Sequence, residues 1–525
     1  MDKKLKLLPK GMSSFEVMRK GNYLYVDKTE QIYNLITQDR YCFLSRPRRF
    51  GKSLLVSTLK ALFEGKKELF EGLWIASSDY EWKPHPVIYF NLFSLTPTNA
   101  QELEAGIGRF LHEQATLHSI NLNPEASLRE NFATIIKKLA EKNSVVVLID
   151  EYDYPILANI GNKLITDECR IVLQNFYGTL KSLDSYLRFV FLTGVTKFAK
   201  TSIFSGLNNI NDLTMDEAAA TLLGYTHAEL INNFEGYIKQ AALKLDQSSE
   251  QIVEKMTEWY NGYQFSQFAA IKSQSAKVYN PYSILLFLSK SVFSNYWFET
   301  GSPRFLIEVM MQQNFQPIEL NNLHIGQDQI GAFEVDKIFL PTLLYQTGYL
   351  TIESFDSEDE HYKLRIPNLE VEKSLFKQLL INCTPLAENA IGPLLSQIRK
   401  ALQHKDIDAF CEVLQGVFAS IPSSMHSHLE KYYQSIIFVI TKLAGFETIG
   451  EDSTNLGRID MVAQTSNTIF IMEFKTRGSA QEALSQIEEK KYAQKYLVSG
   501  KRSMLAGIFI DVEKRNIDSR LTKTI

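Results

Sequence analysis

Four short apolar runs, Tyr41–Ser45, Val87–Leu92, Val145–Asp150 and Arg188–Thr193, are separated by longer stretches with helical spacing. Strands that alternate with helices form a parallel sheet covered on both faces. This alternation sets the fold class of the first 210 or so residues. The first run feeds Arg46-Pro-Arg-Arg-Phe-Gly51-Lys52-Ser53. A helix follows, with Leu54, Leu55, Thr58, Leu59, Leu62 and Phe63 on one face. Strand, loop, GKS and amphipathic helix make the setting of a phosphate-binding loop. Backbone N–H groups at the helix start face the phosphates, Lys52 reaches the β/γ oxygens and Ser53 ligates Mg²⁺. Arg46 stands where the general loop pattern has its first glycine, so a chance GKS at a helix start is the alternative for the motif alone.

The third run removes most of that alternative. Ser144-Val-Val-Val-Leu-Ile-Asp150-Glu151 is an apolar strand ending in two carboxylates. Asp150 is expected to hold Mg²⁺ and Glu151 to polarise the attacking water. Residues 46–53, Asp150 and Thr193 are therefore expected around the nucleotide, with Thr193 sensing the γ-phosphate. Strand-end capping is the alternative for Thr193 and Thr196. Arg48 and Arg49 are candidates for stabilising transition-state charge.

A second constellation lies near the end. Ile469-Phe-Ile-Met-Glu473-Phe-Lys475 is an apolar strand interrupted by two charges on one face. Buried charges cost several kcal/mol each unless paired or bound to a metal. Asp460, on the strand before, supplies a second carboxylate. The preceding helix, Leu429 to Leu443, carries Glu430 on the stripe of Tyr433, Ile437 and Ile440. The following helix carries Gln486, with Lys490 and Lys491 as candidate backbone contacts. A structural Glu473–Lys475 ion pair is the alternative.

Several groups of residues together resemble the bacterial AAA-ATPase-like family: Tyr25-Val-Asp27-Lys28-Thr29, the loop Arg46–Ser53, Ile149-Asp-Glu-Tyr-Asp153, Leu192-Thr-Gly-Val-Thr-Lys197 and Phe204-Ser-Gly-Leu-Asn-Asn209. Trp259-Tyr-Asn-Gly-Tyr263, Tyr279-Asn-Pro281 and Tyr296-Trp-Phe-Glu-Thr-Gly301 match motifs of the same proteins. Read from the residues, these three are aromatic packing and turns. The resemblance implies that Asp27 and Thr29 border the nucleotide and that an arginine-rich loop is the family's usual form. It also implies a C-terminal domain of the PD-(D/E)xK nuclease superfamily. Asp460 and Glu473-x-Lys475 fit that superfamily's core, with Ile459 in place of its proline. Mg²⁺ on Asp460, Glu473 and Glu430, with Lys475 and Gln486 assisting, would then hydrolyse phosphodiesters.

The expected fold is α/β: 1–212, a P-loop NTPase domain with a parallel sheet; 213–325, a helical lid; 326–370, a candidate winged-helix module; 371–425, a helical connector; and 426–525, a nuclease-like α/β domain. The expected function is ATP binding and hydrolysis coupled to a Mg²⁺-dependent nuclease, with ATP and nucleic acid as partners, DNA ahead of RNA. The alternative is a nucleotide-switched binding module with a degenerate nuclease fold. A metabolic kinase leaves the last hundred residues unexplained.

The net charge of −4 excludes a generally basic nucleic-acid coat, so contact needs a local patch. From Ile471 onward eleven Lys/Arg face seven Asp/Glu. Cys42, Cys169, Cys383 and Cys411 form no CxxC pair, as expected of reduced thiols in a cytoplasmic protein. No apolar run is long enough to span a membrane. An oligomer is compatible with all of this.

Overall fold

The computed structural model describes residues 5–198, 203, 207, 209–267, 276–298, 304–331, 338–422 and 430–525. Most of the motif Phe204–Asn209, residues 299–301 of the Tyr296–Gly301 motif, the Gly301–Pro303 turn and Leu429 lie outside them.

Strands β1 (Tyr41–Ser45), β2 (Val87–Asn91), β3 (Val145–Asp150), β4 (Leu187–Gly194) and β5 (Asn211–Asp212) form one sheet in the order β2-β3-β4-β1-β5. All pairings in it are parallel. β1 and β3 are buried at every position. Such strands need helices on both faces, which explains their unbroken Val/Ile/Leu runs. β4 lies between β1 and β3, so the loop after β1 and the carboxylates after β3 meet across the end of β4. Ligands of open α/β sheets bind at these carboxyl ends.

Helices His227–Leu245, Ser249–Tyr260 and Pro281–Lys290 pack around Phe234, Ile252, Met256, Tyr260 and Phe287. Asn280 caps the last of these helices by accepting from Tyr282 N and Ser283 N. Tyr263 and Tyr279 are wholly buried. The aromatic motifs there are packing and turns, as their residues suggest.

β6 (Leu323–Gly326), β7 (Thr351–Asp356) and β8 (His361–Arg365) form a small sheet in the order β6-β8-β7, with β7 and β8 as an antiparallel hairpin. Helices Gln327–Ile330 and Leu340–Thr347 lie between β6 and β7 in the chain.

The chain divides into two units, Met1–Ser302 with His324–Glu370, and Pro303–Leu323 with Val371–Ile525. Helix Arg304–Gln312 and the 3-10 turn Pro317–Asn322, expected in the lid, thus group with the C-terminal half. The reason is local packing. Ile318 sits against Gly450, where an added Cβ would meet it at 2.3 Å, and Glu319 pairs with Lys431 at 3.9 Å.

The C-terminal sheet has five strands: β9 (Glu447–Thr454), β10 (Gly457–Gln464), β11 (Thr468–Lys475), β12 (Arg502–Asp511) and β13 (Asn516–Thr524), in the order β13-β12-β11-β10-β9. Helix Glu430–Leu443 precedes them and helix Ala480–Glu489 follows β11. Sequence patterning, which reads as helix, strand, strand, helix, strand, misses two. β9 and β13 are the edges and expose much of their length, so their apolar alternation is weak. β11 is central and buried from Thr468 to Phe474.

Glu370 is a buried carboxylate that accepts from Ser283 Oγ at 2.8 Å and Trp297 N at 2.7 Å. Glu370→Ala leaves both donors without that acceptor and is expected to lower stability by about 2–4 kcal/mol. Chemical denaturation of the full chain measures this, and an unchanged midpoint refutes it.

Candidate active sites

Helix Lys52–Phe63 starts at the carboxyl end of β1, with Gly51 as its N-cap at φ +101°. That left-handed turn, which glycine adopts without Cβ strain, swings the loop across the helix N-terminus. Lys52 is only 4 % exposed. Its Nζ donates to Arg46 O at 3.1 Å and Pro47 O at 3.3 Å and lies 3.6 Å from Glu151 Oε1. The ammonium therefore sits inside the curl of the loop, held by groups that phosphate oxygens can replace.

Asp150 ends β3, and among the described residues neither of its buried oxygens has a partner in full hydrogen-bond geometry, the Ser53 hydroxyl being the nearby donor. Burial pushes its pKa up to about 6; the Ser53 hydroxyl pulls it down and Glu151 pushes it up. An orphaned buried carboxylate beside a serine hydroxyl fits a divalent cation, and Asp150 and Ser53 would hold it. Glu151 has φ +53°, a sparsely populated conformation for a non-glycine residue. Such strain costs roughly 1–3 kcal/mol and accompanies functional positions.

A cleft of about 440 Å³ runs past Arg48, Arg49, Gly51, Lys52, Ser53 and Glu151. That volume suits a small-molecule ligand. A smaller apolar pocket of about 70 Å³ adjoins it, lined by Ile32, Phe50, Leu54, Leu222 and Tyr225 among others. The two share Pro9, Met18, Gly51, Leu54, Tyr225 and Pro281.

Two members of the expected set turn their side chains elsewhere. Thr193 is buried and its hydroxyl donates to Leu44 O at 2.6 Å, so it ties β4 to β1. Arg46 is also buried, and its guanidinium donates to Ser45 O, Thr214 O and Ala219 O while stacking over Phe265 at 4.2 Å. The arginine at the first loop position is thus a brace behind the loop. Phe50 packs edge-on against Tyr263 at 4.8 Å and Phe265 at 5.5 Å. The aromatic segment after Trp259 supports the phosphate loop from below, a connection that no local pattern carries. Arg49 stacks over Tyr282 at 4.7 Å. Asp27 accepts from Thr29 N and Trp74 N, a fold-holding role.

Sequence reasoning passed over Asp153. Its buried carboxylate accepts from Val195 N at 3.1 Å, and from Thr196 N and Thr196 Oγ1 at 2.6 Å each. It fixes the loop after β4 relative to Glu151. Its only signal was the second aspartate of Ile149-Asp-Glu-Tyr-Asp153.

In the C-terminal sheet, Asp460 and Glu473 lie on adjacent antiparallel strands. Asp460 Oδ2 accepts from Phe474 N at 2.8 Å. Glu473 is 1 % exposed. Its Oε1 accepts from Gln486 Nε2 and lies 3.5 Å from Lys475 Nζ, while its Oε2 has no hydrogen-bond partner among the described residues. Burial, and then their mutual repulsion, hold Glu473 well above the usual carboxylate range. Burial likewise lifts Asp460, with Glu430 adding repulsion.

Glu430 stands at the start of its helix and accepts from Thr476 N at 3.0 Å and Thr476 Oγ1 at 3.2 Å. It therefore borders the pair and anchors the chain just past Lys475; Thr476 has no sequence signal. Among the described residues no three His, Cys, Asp or Glu are arranged to hold a metal. Asp460 and Glu473 could supply two ligands, and water would complete a Mg²⁺ shell. A repelling, desolvated pair with one orphaned oxygen fits such a cation. Glu451 pairs with Arg458 at 2.5 Å, the role of a strand residue.

The profile of a predicted AAA-ATPase family matches residues 9–204, and that of a PD-(D/E)XK nuclease superfamily family matches residues 428–520. An uncharacterized protein in the vnfD 5′ region of Azotobacter chroococcum mcd 1 is 35% identical over 528 residues, 98% of each chain. This chain belongs to the AAA-ATPase-like family with a C-terminal PD-(D/E)XK domain.

Among solved structures, the Walker-type ATPase PABY2304 of Pyrococcus abyssi aligns with 71% of this chain and 99% of its own. That match has 14% identity and a TM-score of 0.32. The Aeropyrum pernix Orc1 protein in complex with DNA aligns with 66% of this chain and 91% of its own, at 12% identity and a TM-score of 0.24. No described helix of this AAA-ATPase-like chain is long and apolar enough to cross a membrane.

Because the folded pKa of Glu473 is raised, its ionisation works against the fold. The stability linked to it is present below about pH 4.3, its unfolded range, and is lost as pH rises through the folded value. Glu473→Gln is therefore expected to raise the thermal stability of metal-free protein near about pH 8, with the gain fading towards about pH 5. Scanning calorimetry at both pH values decides, and a destabilised variant near about pH 8 contradicts the assignment.

Proposed function

We propose that this chain binds and hydrolyses ATP and that its C-terminal domain is a Mg²⁺-dependent nuclease that hydrolyses nucleic-acid phosphodiester bonds, with DNA placed ahead of RNA as the partner. The observation that carries the nuclease reading is Glu473, buried on a central strand beside Asp460 with one oxygen unpartnered. Such a group is costly to the fold and cheap only with a cation present. Bound Mg²⁺ polarises the scissile phosphate and acidifies a water. Gln486 keeps Glu473 Oε1 in place, which leaves Oε2 for the cation. Lys475 is partly exposed and beside Glu473, where it orients the attacking water and offsets charge developing on the phosphate.

At the other site Lys52 exchanges the carbonyls of Arg46 and Pro47 for phosphate oxygens, and Asp150 and Ser53 hold Mg²⁺. Glu151 accepts a proton from the attacking water. The β6-β8-β7 sheet with its two helices supports a winged-helix reading of that region. Three of the four free cysteines are buried, and all are consistent with a cytoplasmic home.

Purified protein with Mg²⁺ or Mn²⁺ is expected to cleave DNA, and Asp460→Ala or Lys475→Ala to abolish cleavage. Assays across single- and double-stranded DNA and RNA, with and without ATP, test this. Absence of cleavage in every arm, while ATP still binds, leaves the domain as a binding module. For the front end, Lys52→Ala is expected to eliminate binding of a fluorescent ATP analogue. Glu151→Gln should retain binding and slow hydrolysis by about 10²–10⁴-fold. An unchanged turnover in Glu151→Gln would remove Glu151 from its role.

A further inference from the structure

A second cleft, of about 370 Å³, opens at the turn that leads into β10, the strand that carries Asp460. Its walls are the β9–β10 turn and the segment that follows helix Ala480–Glu489. The lining side chains carry hydroxyls (Ser453, Thr454, Tyr492), amides (Asn455, Gln494) and ammonium groups (Lys491, Lys495), and none carries a carboxylate. Hydrogen-bond donors and positive charge suit a phosphodiester.

Tyr492 joins this cleft to the carboxylate pair. Its hydroxyl donates to Arg458 O at 3.0 Å, and its ring is buried against the start of β10. It packs in one buried cluster with Ile459, Ile471 and Ile487, neighbours in the chain of Asp460, Glu473 and Gln486. Gly457 makes this possible, because a Cβ there would lie 2.8 Å from the Tyr492 hydroxyl. The glycine that opens Gly457-Arg-Ile-Asp460 is thus spatial clearance for Tyr492.

Lys491 adds an independent observation. It sits past a helix end with φ +50°, where glycine is the residue that avoids strain. A lysine is held there instead, exposed and with no ion pair among the described residues. The side chains of Asn455 and Gln494 likewise make no hydrogen bond among the described residues. Lys495 differs, since Asp452 pairs with it at 2.6 Å and Ser453 O accepts from it at 3.0 Å.

We propose that this cleft binds the backbone phosphate of the nucleic-acid strand next to the scissile bond, with Lys491, Gln494 and Asn455 as its contacts. The proposal rests on the nuclease reading above. Tyr492 separates the two compartments and sets the path of the strand between them.

The test uses the full chain, with Ca²⁺ in place of Mg²⁺ to hold substrate uncut. Anisotropy of fluorescein-labelled DNA and RNA, duplex and single-stranded, is measured between about 50 and 200 mM salt. The double variant Lys491→Ala/Gln494→Ala is expected to bind about tenfold more weakly, with a salt slope smaller by about 1. Lys491→Arg should keep wild-type affinity. Lys514→Ala, which removes the same charge from a lysine paired with Asp511 and Asp518, should also bind as wild type. In Mg²⁺ the double variant should raise KM and leave kcat unaltered. If wild type binds and the double variant matches it within about twofold, the cleft is not a phosphate site. Should wild type bind no nucleic acid at all, the nuclease reading itself falls.

Discussion

The cost of taking a carboxylate out of water without a partner organises both candidate centres. Among the described residues, Asp150 ends a wholly buried strand with both oxygens unpaired, and Glu473 sits in the middle strand of the second sheet with one oxygen unpaired. Neither arrangement stabilises a fold, since an unpaired buried charge shifts its pKa and tends to hold its proton. Each would become favourable with a divalent cation to supply the missing positive charge. The neighbours follow from that need: Ser53 beside Asp150, and Gln486 and Lys475 fixing one oxygen of Glu473 so that the other stays available.

The scaffolds around the two centres solve this problem differently. In the first sheet β4 separates the phosphate loop from Asp150, and the tie between Thr193 and Leu44 keeps the two strand ends in register. Arg46 and Phe50 brace the loop from behind, on the aromatic residues Tyr263 and Phe265. In the second sheet no loop intervenes. The β10–β11 pairing ends at Met461 and Met472, so Asp460 and Glu473 are the residues just beyond it, and the backbone N–H of Phe474 locks the Asp460 carboxylate.

Legibility divided along the same line. Chemistry carried by local order was readable: GKS after a strand, Asp150-Glu151 at a strand end, Glu473-x-Lys475 with Asp460. Roles that depend on what lies across the fold were not. Arg46 reads as a phosphate contact because it lies in the loop, yet its guanidinium points to carbonyls of residues 214 and 219. Asp153, Thr476 and Tyr492 have no spacing signal, since each acts on a partner distant in sequence or through a backbone N–H. The edge strands β9 and β13 were obscured because half-exposed strands need no apolar alternation.

The sequence by itself determined the α/β class, the helix-covered parallel strands, the phosphate loop and the D…ExK pair. Periodicity and residue chemistry act over a few residues and survive without knowledge of the fold. Only the tertiary structure decided which side chains face the clefts, that residues 304–322 group with the C-terminal half, and that Gly457 clears space for Tyr492 beside a polar cleft. Those outcomes depend on close packing between segments far apart in the chain, where one Cβ or one hydrogen bond selects among arrangements that local patterning leaves equal.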